Sequence, residues 1–176
     1  MNLNLNEWKS FCVNNIFFML NGKGITKEEV EENEGLFKVV QSGETNNGVL
    51  GKIDNRQLFD CEKTIALADR GCFHASVQTE DFYIGTRVKA LEMKCCVSKG
   101  VLIFIATIVN QETFKYSYGR NCTAGVENVR IKLPVKHNDD GIIFIDDEHT
   151  YSDEGYVPDW QFMEDYIKSL PYGDRL

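Results

Sequence analysis

The chain has 176 residues, 43% of them apolar and 26% charged, with a formal net charge of −8. That length suits one compact domain with its own core, and the composition excludes a disordered or fibrous chain. The longest apolar run, Val101 to Val109, is far shorter than the roughly 18 residues a membrane helix needs. Met1 to Asn6 lacks the basic start and apolar stretch of a signal peptide, so a cytoplasmic address with no membrane partner is expected.

The charge is uneven along the chain. Residues 1–50 hold 4 basic and 7 acidic groups (net −3), residues 51–136 hold 13 and 9 (net +4), and residues 137–176 hold 2 and 11 (net −9). Binding to nucleic-acid phosphates needs local rather than overall positive charge, so the middle can supply it while the acidic tail faces elsewhere. Six cysteines occur, at 12, 61, 72, 95, 96 and 122. With no secretory signal and no CxxC pair they read as buried, reduced thiols. Cys95 and Cys96 would point to opposite faces of a strand, and Cys72-Phe73-His74 has no evident third and fourth ligand, so no metal is expected.

In chain order, Trp8 to Leu20 is apolar enough to be buried and fits either a strand or a short helix. Asn21-Gly22-Lys23-Gly24 is a turn. Thr26 to Glu29 has capping-box spacing, which predicts a short acidic helix to about Glu34, closed by Gly35. Strands follow at Leu36–Gln41 and Gly48–Ile53, joined by a polar loop ending in Asn47-Gly48, a pair suited to positive φ. Thr64–Ala68 and Cys72–Val77 flank the turn Asp69-Arg70-Gly71, and Phe82–Leu91 holds one or two further strands. Val101–Asn110 is ambiguous, its β-branched residues favouring a strand and its length a buried helix. Val129–Val135 contains Pro134 and should be an edge strand. Gly141–Ile145 reads as one more strand, and Asp146–Tyr156 as an acidic, mobile loop. Asp159 can cap a C-terminal helix, 159–170, whose apolar residues recur at i, i+3, i+4 and which Pro171 stops. Together these predict an α/β (α+β) fold: a curled, mostly antiparallel β-sheet with a few packed helices. With no repeat or linker, residues 1–176 read as a single domain with its core at roughly 8–170.

Several blocks are those of a known family. Trp8, Phe11, Val13, Ile16 and Phe17 form an opening W-x-x-F-x-V-x-x-I-F, followed by Gly22-Lys23-Gly24. Val39 to Gly51, Phe104 to Arg120, Ile131-Lys132-Leu133-Pro134-Val135 and Pro158 to Leu170 complete the set, the last two being the most diagnostic. In order and spacing the chain resembles the target recognition domain of type I restriction–modification specificity subunits, and the related domains of type IIB and IIG systems. The resemblance covers nearly the whole chain. It implies a helix at the third block, which decides the ambiguity at 101–110. It also implies double-stranded DNA as ligand, a methyltransferase or endonuclease partner, and no catalysis by this chain. Typical specificity subunits carry two recognition domains joined by long helices, whereas this chain has one. A half-subunit, a truncated form or the single module of a fused enzyme would each account for that, and a second copy or second recognition domain would complete the site.

Reading DNA requires side chains that fork onto base edges and cations that hold phosphates. The candidates are Lys23 in its glycine turn, Ser42, Thr45, Asn46 and Asn47 in the polar loop Gln41 to Asn47, whose Gln and Asn amides suit adenine or mixed contacts, Arg56, and Lys115, Tyr118, Arg120 and Asn121 in the aromatic-basic run. Arg70 and Arg87 are further cations, Arg70 equally suited to an ion pair with Asp69. Each has a plain structural alternative: a hairpin turn with local Asn bonds, a solvated lysine, core aromatics. His74, His137 and His149 form no catalytic signature, and no methyltransferase cofactor motif or phosphate-binding loop is present, so no cofactor is expected. Two other readings stand beside DNA recognition. One is an acidic DNA mimic or decoy acting on a restriction–modification enzyme, favoured by the −9 tail and opposed by the +4 centre. The other is a small enzyme using Cys72 and His74.

Overall fold

A computed structural model describes residues 3–33, 35–54, 58–116, 121–122 and 125–175. The first half contains β1 (Lys9–Cys12), α1 (Val13–Ile16), β2 (Phe17–Asn21), α2 (Lys27–Glu31), β3 (Phe37–Val40) and β4 (Val49–Ile53). The rest contains β5 (Thr64–Ala68), β6 (His74–Val77), β7 (Phe82–Ile84), β8 (Val88–Met93), α3 (Lys99–Asn110), β9 (Arg130–Leu133) and α4 (Trp160–Ser169).

The strands form three small sheets among the described residues: β1-β9, β2-β8-β5-β6 and β4-β3-β7. All pairs are antiparallel except β3 with β7. The mixed α/β, mostly antiparallel expectation therefore holds, with the strands divided between three sheets among the described residues. Period-two alternation gives the four-stranded sheet two buried faces. Phe17, Met19, Ile65, Leu67, Ala75, Leu91 and Met93 face α3 and the main core, while Ala66 and Ala90 face Val40, Phe82 and Ile84 of the three-stranded sheet. Small alanines on that side let the two sheets approach.

The ambiguous opening divides into a strand, one helical turn and another strand, because Val13 and Ile16 are buried three residues apart between the two. Residues 99–110 are a helix whose apolar residues fill the centre of the core, with Phe104 between Trp8 and Tyr166 at centroid distances of 5.7 Å each. Thr26 Oγ1 accepts from Glu29 N at 3.0 Å, as the capping-box spacing predicts, but α2 ends at Glu31, short of Glu34. Gly35 instead lies so close to the Ile53 backbone that a methyl group there would overlap it. Asp159 Oδ1 caps α4 by accepting from Phe162 N at 2.9 Å.

One expectation fails in the acidic C-terminal part. Residues 141–145 form no strand, only the isolated bridges His137↔Ile143 and Ile145↔Tyr156, because the pairing passes from residues 136–138 to residues 155–156 within the segment. The loop 146–156 is held by its own bonds: Asp146 accepts from Glu148 N (3.1 Å) and Thr150 N (3.0 Å), and Ser152 Oγ accepts from Tyr156 N (2.7 Å). Asn15 Nδ2 donates to Tyr151 O at 3.2 Å, docking this loop beside α1. The thiols also differ from expectation. Cys61 and Cys122 are buried but Cys96 is exposed, and Cys95-Cys96 follow β8 rather than lying in a strand.

Candidate nucleic-acid interface

Strand register decides which loops meet. Asn21 pairs with Lys89, Ala68 with Val88 and His74, so the exit of β2, the entry of β8, the exit of β5 and the entry of β6 share one end of the sheet. Gly85 N donates to Val40 O at 2.9 Å, which brings the exit of β3 to the same end. Turns 22–24, 69–73 and 85–87 and the start of loop 41–48 therefore converge, although their residues are far apart in sequence.

Two glycines make the approach possible. A methyl group on Gly22 would overlap the Gly85 carbonyl, and one on Gly85 would overlap the Gln41 amide. Gly22 N donates to Val88 O (3.3 Å) and Asp69 N to Arg87 O (3.2 Å). Ser42 Oγ donates to Arg70 O in a short bond and lies 3.5 Å from Cys72 Sγ. Gly71 N, at φ +83°, donates to Asn121 Oδ1 at 3.1 Å. Lys23, Arg70, Thr86 and Arg87 are exposed on this end. Neither Lys23 nor Arg87 has an ion-pair partner among the described residues.

Behind this surface sits Asp69, buried and 3.9 Å from Lys89 Nζ, which also donates to Asn21 Oδ1 at 2.6 Å. Burial raises the Asp69 carboxyl above the usual aspartate value, with Lys89 and Arg70 opposing the rise. Tyr116 stacks on Phe73 at 4.4 Å, and its phenol is pushed up to about 12 by burial and by Cys122. These contacts brace the base of the aromatic-basic run.

The sequence candidates separate into groups. Lys23, Ser42 and Asn121 lie on the converging end. Asn46 and Asn47 both take positive φ (50° and 51°), ahead of Gly48 at 76°, and the loop runs from there along the free edge of β6. Asn46 Nδ2 donates to Val49 O (3.0 Å), and Asn47 Nδ2 donates to Val77 O (2.8 Å) while Asn47 O accepts from Gln78 Nε2 (3.0 Å). Thr45 is exposed between the two halves of the loop. Asn47 shares its edge-capping task with Thr113, which donates to Phe73 O (2.8 Å), and Asn110, which bonds both N (2.6 Å) and O (2.9 Å) of Ala75. Lys115 is paired with Glu112 and lies 5.5 Å from the Phe114 ring centroid. Arg56, Tyr118 and Arg120 lie outside the described residues. Thr86 is the position that sequence reasoning did not single out. Gly85-Thr86-Arg87 echoes the glycine-and-cation make-up of the Lys23 turn, which was the available signal.

Among the described residues, Asp60, Cys61 and Asp81 alone bring three metal-type ligand atoms within 4.8 Å of one another. They sit near the entry of β5, at the opposite end from the turns. Burial and the Glu62 carboxylate push the Cys61 thiol up to about 11, which opposes the thiolate a metal would need. No thiol–imidazole hydrogen bond is found among the described residues. No helix is long and apolar enough to cross a membrane among the described residues.

The family model for the type I restriction modification DNA specificity domain matches residues 6–145. The chain belongs to that family. It is 25% identical over 171 residues to the specificity subunit S.BcgI of a type II restriction enzyme from Heyndrickxia coagulans, covering 95% of this chain and 45% of the relative. The specificity domain thus spans less than half the length of that subunit. Its fold is similar to the S subunit of a type I restriction–modification system from M. genitalium (TM-score 0.56, 16% identity, 76% of this chain and 36% of that one). It is also similar to the HsdS subunit of Thermoanaerobacter tengcongensis (TM-score 0.52, 14% identity, 76% and 34%).

Proposed function

We propose that this chain is one target recognition unit, a single domain that reads one half of a bipartite duplex-DNA site and directs a methyltransferase or endonuclease partner to it. It carries no catalytic group of its own and acts in the cytoplasm. A second copy, or a second recognition domain on a longer chain, supplies the other half-site. The observation that carries the reading is the convergence of turns 22–24, 41–48, 69–73 and 85–87 with exposed Lys23 and Arg87 on one end of the sheet. Such an end combines cations for phosphates with amides and hydroxyls for base edges. Lys23, Arg87 and Lys115 serve phosphates. Ser42, Thr45 and Asn121 border the bases with Arg56, Tyr118 and Arg120, and Asn46 and Asn47 hold the loop while offering their remaining amide atoms.

The acidic segment does not oppose this. It docks by Tyr151 against Asn15, next to the entry of β2, while the cationic turns lie at the exit of that five-residue strand. Five strand residues span about 17 Å, roughly twice the screening length at physiological salt. A decoy would need the opposite, acids across the binding face. Exchange of this unit into a specificity subunit with known half-sites tests the proposal. Methylation should move to a new half-site while the other half and the spacing stay fixed; methylation remaining at the old site would refute it.

A further inference from the structure

Gln41 is placed differently from every other amide in the polar loop. Asn46 and Asn47 donate to backbone carbonyls, and Asn121 accepts from Gly71 N. Gln41 is half-buried at the exit of β3, and no hydrogen bond to its side chain is found among the described residues. Its position is nevertheless set. A methyl group on Gly85 would meet Cδ, Nε2 and Oε1 at nearly equal distances, so the amide lies flat over the bare Cα of that glycine. Gly85 is in turn fixed by its bond to Val40 O (2.9 Å) and by the close approach of Gly22. The backbone of Gln41 is also held, its N–H donating to Gly48 O at 2.8 Å.

A flat-lying amide covers its face and leaves its edge, one donor beside one acceptor, available. That edge is the complement of adenine N7 and N6 in the major groove. Loss of rotamer freedom has already occurred against Gly85, so less remains to be lost on binding. Exposed Lys23 and Arg87 flank the seat on the two turns that carry Gly22 and Gly85. We infer that Gln41, seated on Gly85, is a specificity-determining residue that reads an adenine of the target through a bidentate amide contact. This rests on the recognition reading above.

Selection from a randomised duplex library at about 50 mM salt, where phosphate contacts are strong, separates the two. The wild-type chain should enrich a short motif containing a fixed adenine. Gln41→Ala should leave that position degenerate, with adenine preference falling roughly 10-fold or more while binding to unrelated duplex is unchanged. Gln41→Glu, which offers only acceptors, should move the preference to cytosine, whose N4 donates. A structural role would lower all binding together and would not exchange one base for another. If the wild type enriches a motif and both variants enrich the same one, the assignment of Gln41 is wrong and the recognition reading stands. If the wild type enriches nothing, the recognition reading falls and this inference with it.

Discussion

The two ends of β2 are built by opposite rules. At its exit, turns from distant parts of the sequence are packed against one another through absent side chains, and the cations Lys23 and Arg87 extend outward without carboxylate partners among the described residues. At its entry, the acidic loop 146–156 closes on itself through short-range hydrogen bonds, with the Asp146 carboxylate accepting from the backbone of Glu148 and Thr150. The first arrangement depends on tertiary contact for its shape and leaves its charge available. The second is local and takes its shape from short-range bonds around Asp146 and Ser152. The proposed binding surface lies at the end whose cations Lys23 and Arg87 have no ion-pair partner among the described residues.

The comparison breaks most readily at Gly22. Alanine there must displace the Gly85 backbone, so Gly22→Ala should cost at least about 2 kcal/mol in urea unfolding and disorder both turns together. Gly43→Ala, in the same loop system but with open space around its Cα, should change stability by no more than about 0.5 kcal/mol. Equal effects at the two sites would mean that the turns are not packed through Gly22.

Charge offers a second, smaller test. Lys23→Ala and Arg87→Ala should each weaken binding to all duplexes alike and lower the slope of log K against log salt by about 1. Asp147→Asn with Glu148→Gln, at the far end, should leave that slope unchanged because the distance exceeds the screening length. A slope that steepens on removing the acids would place them beside the DNA instead.

Much of the fold was legible because its signals are local. The caps at Thr26 and Asp159, the glycine and asparagine turns and the paired short strands follow from backbone chemistry within a few residues. The same locality explains the failures. Gly141 to Ile145 carries a strand composition, but a strand also needs a partner, and only two isolated bridges are available to it. Residues 99–110 have β-branched content that competes with helical length, and only the family resemblance decided it. At the site, Lys23 and Asn121 could be chosen by residue type, whereas their meeting with Thr86 and Arg87 depends on sheet register. The different fates of Gln41 and Asn47 depend on a neighbour's missing side chain in one case and a free strand edge in the other. Neither can be read from one segment.

The smallest effect is also the one that separates the two ends by sign. Asp69, behind the converging turns, has its carboxyl raised above the usual aspartate value, with burial the largest cause. Its ionised form is therefore disfavoured by folding, so stability falls as pH rises from below the unfolded value through the folded one. Asp146 is lowered instead, chiefly by the Thr150 hydroxyl and the Thr150 and Glu148 amides. Its contribution is present above the unfolded value and lost as pH falls through the folded one. Carboxyl NMR titration should find Asp69 above and Asp146 below the ordinary aspartate range, and Asp69→Asn should remove the decline in stability on the rising-pH side. If the two titrated together, the carboxylate behind the cationic turns would be solvated like any surface group. The turns would then lack the dry packing that holds Gly85 and, on it, Gln41 in place.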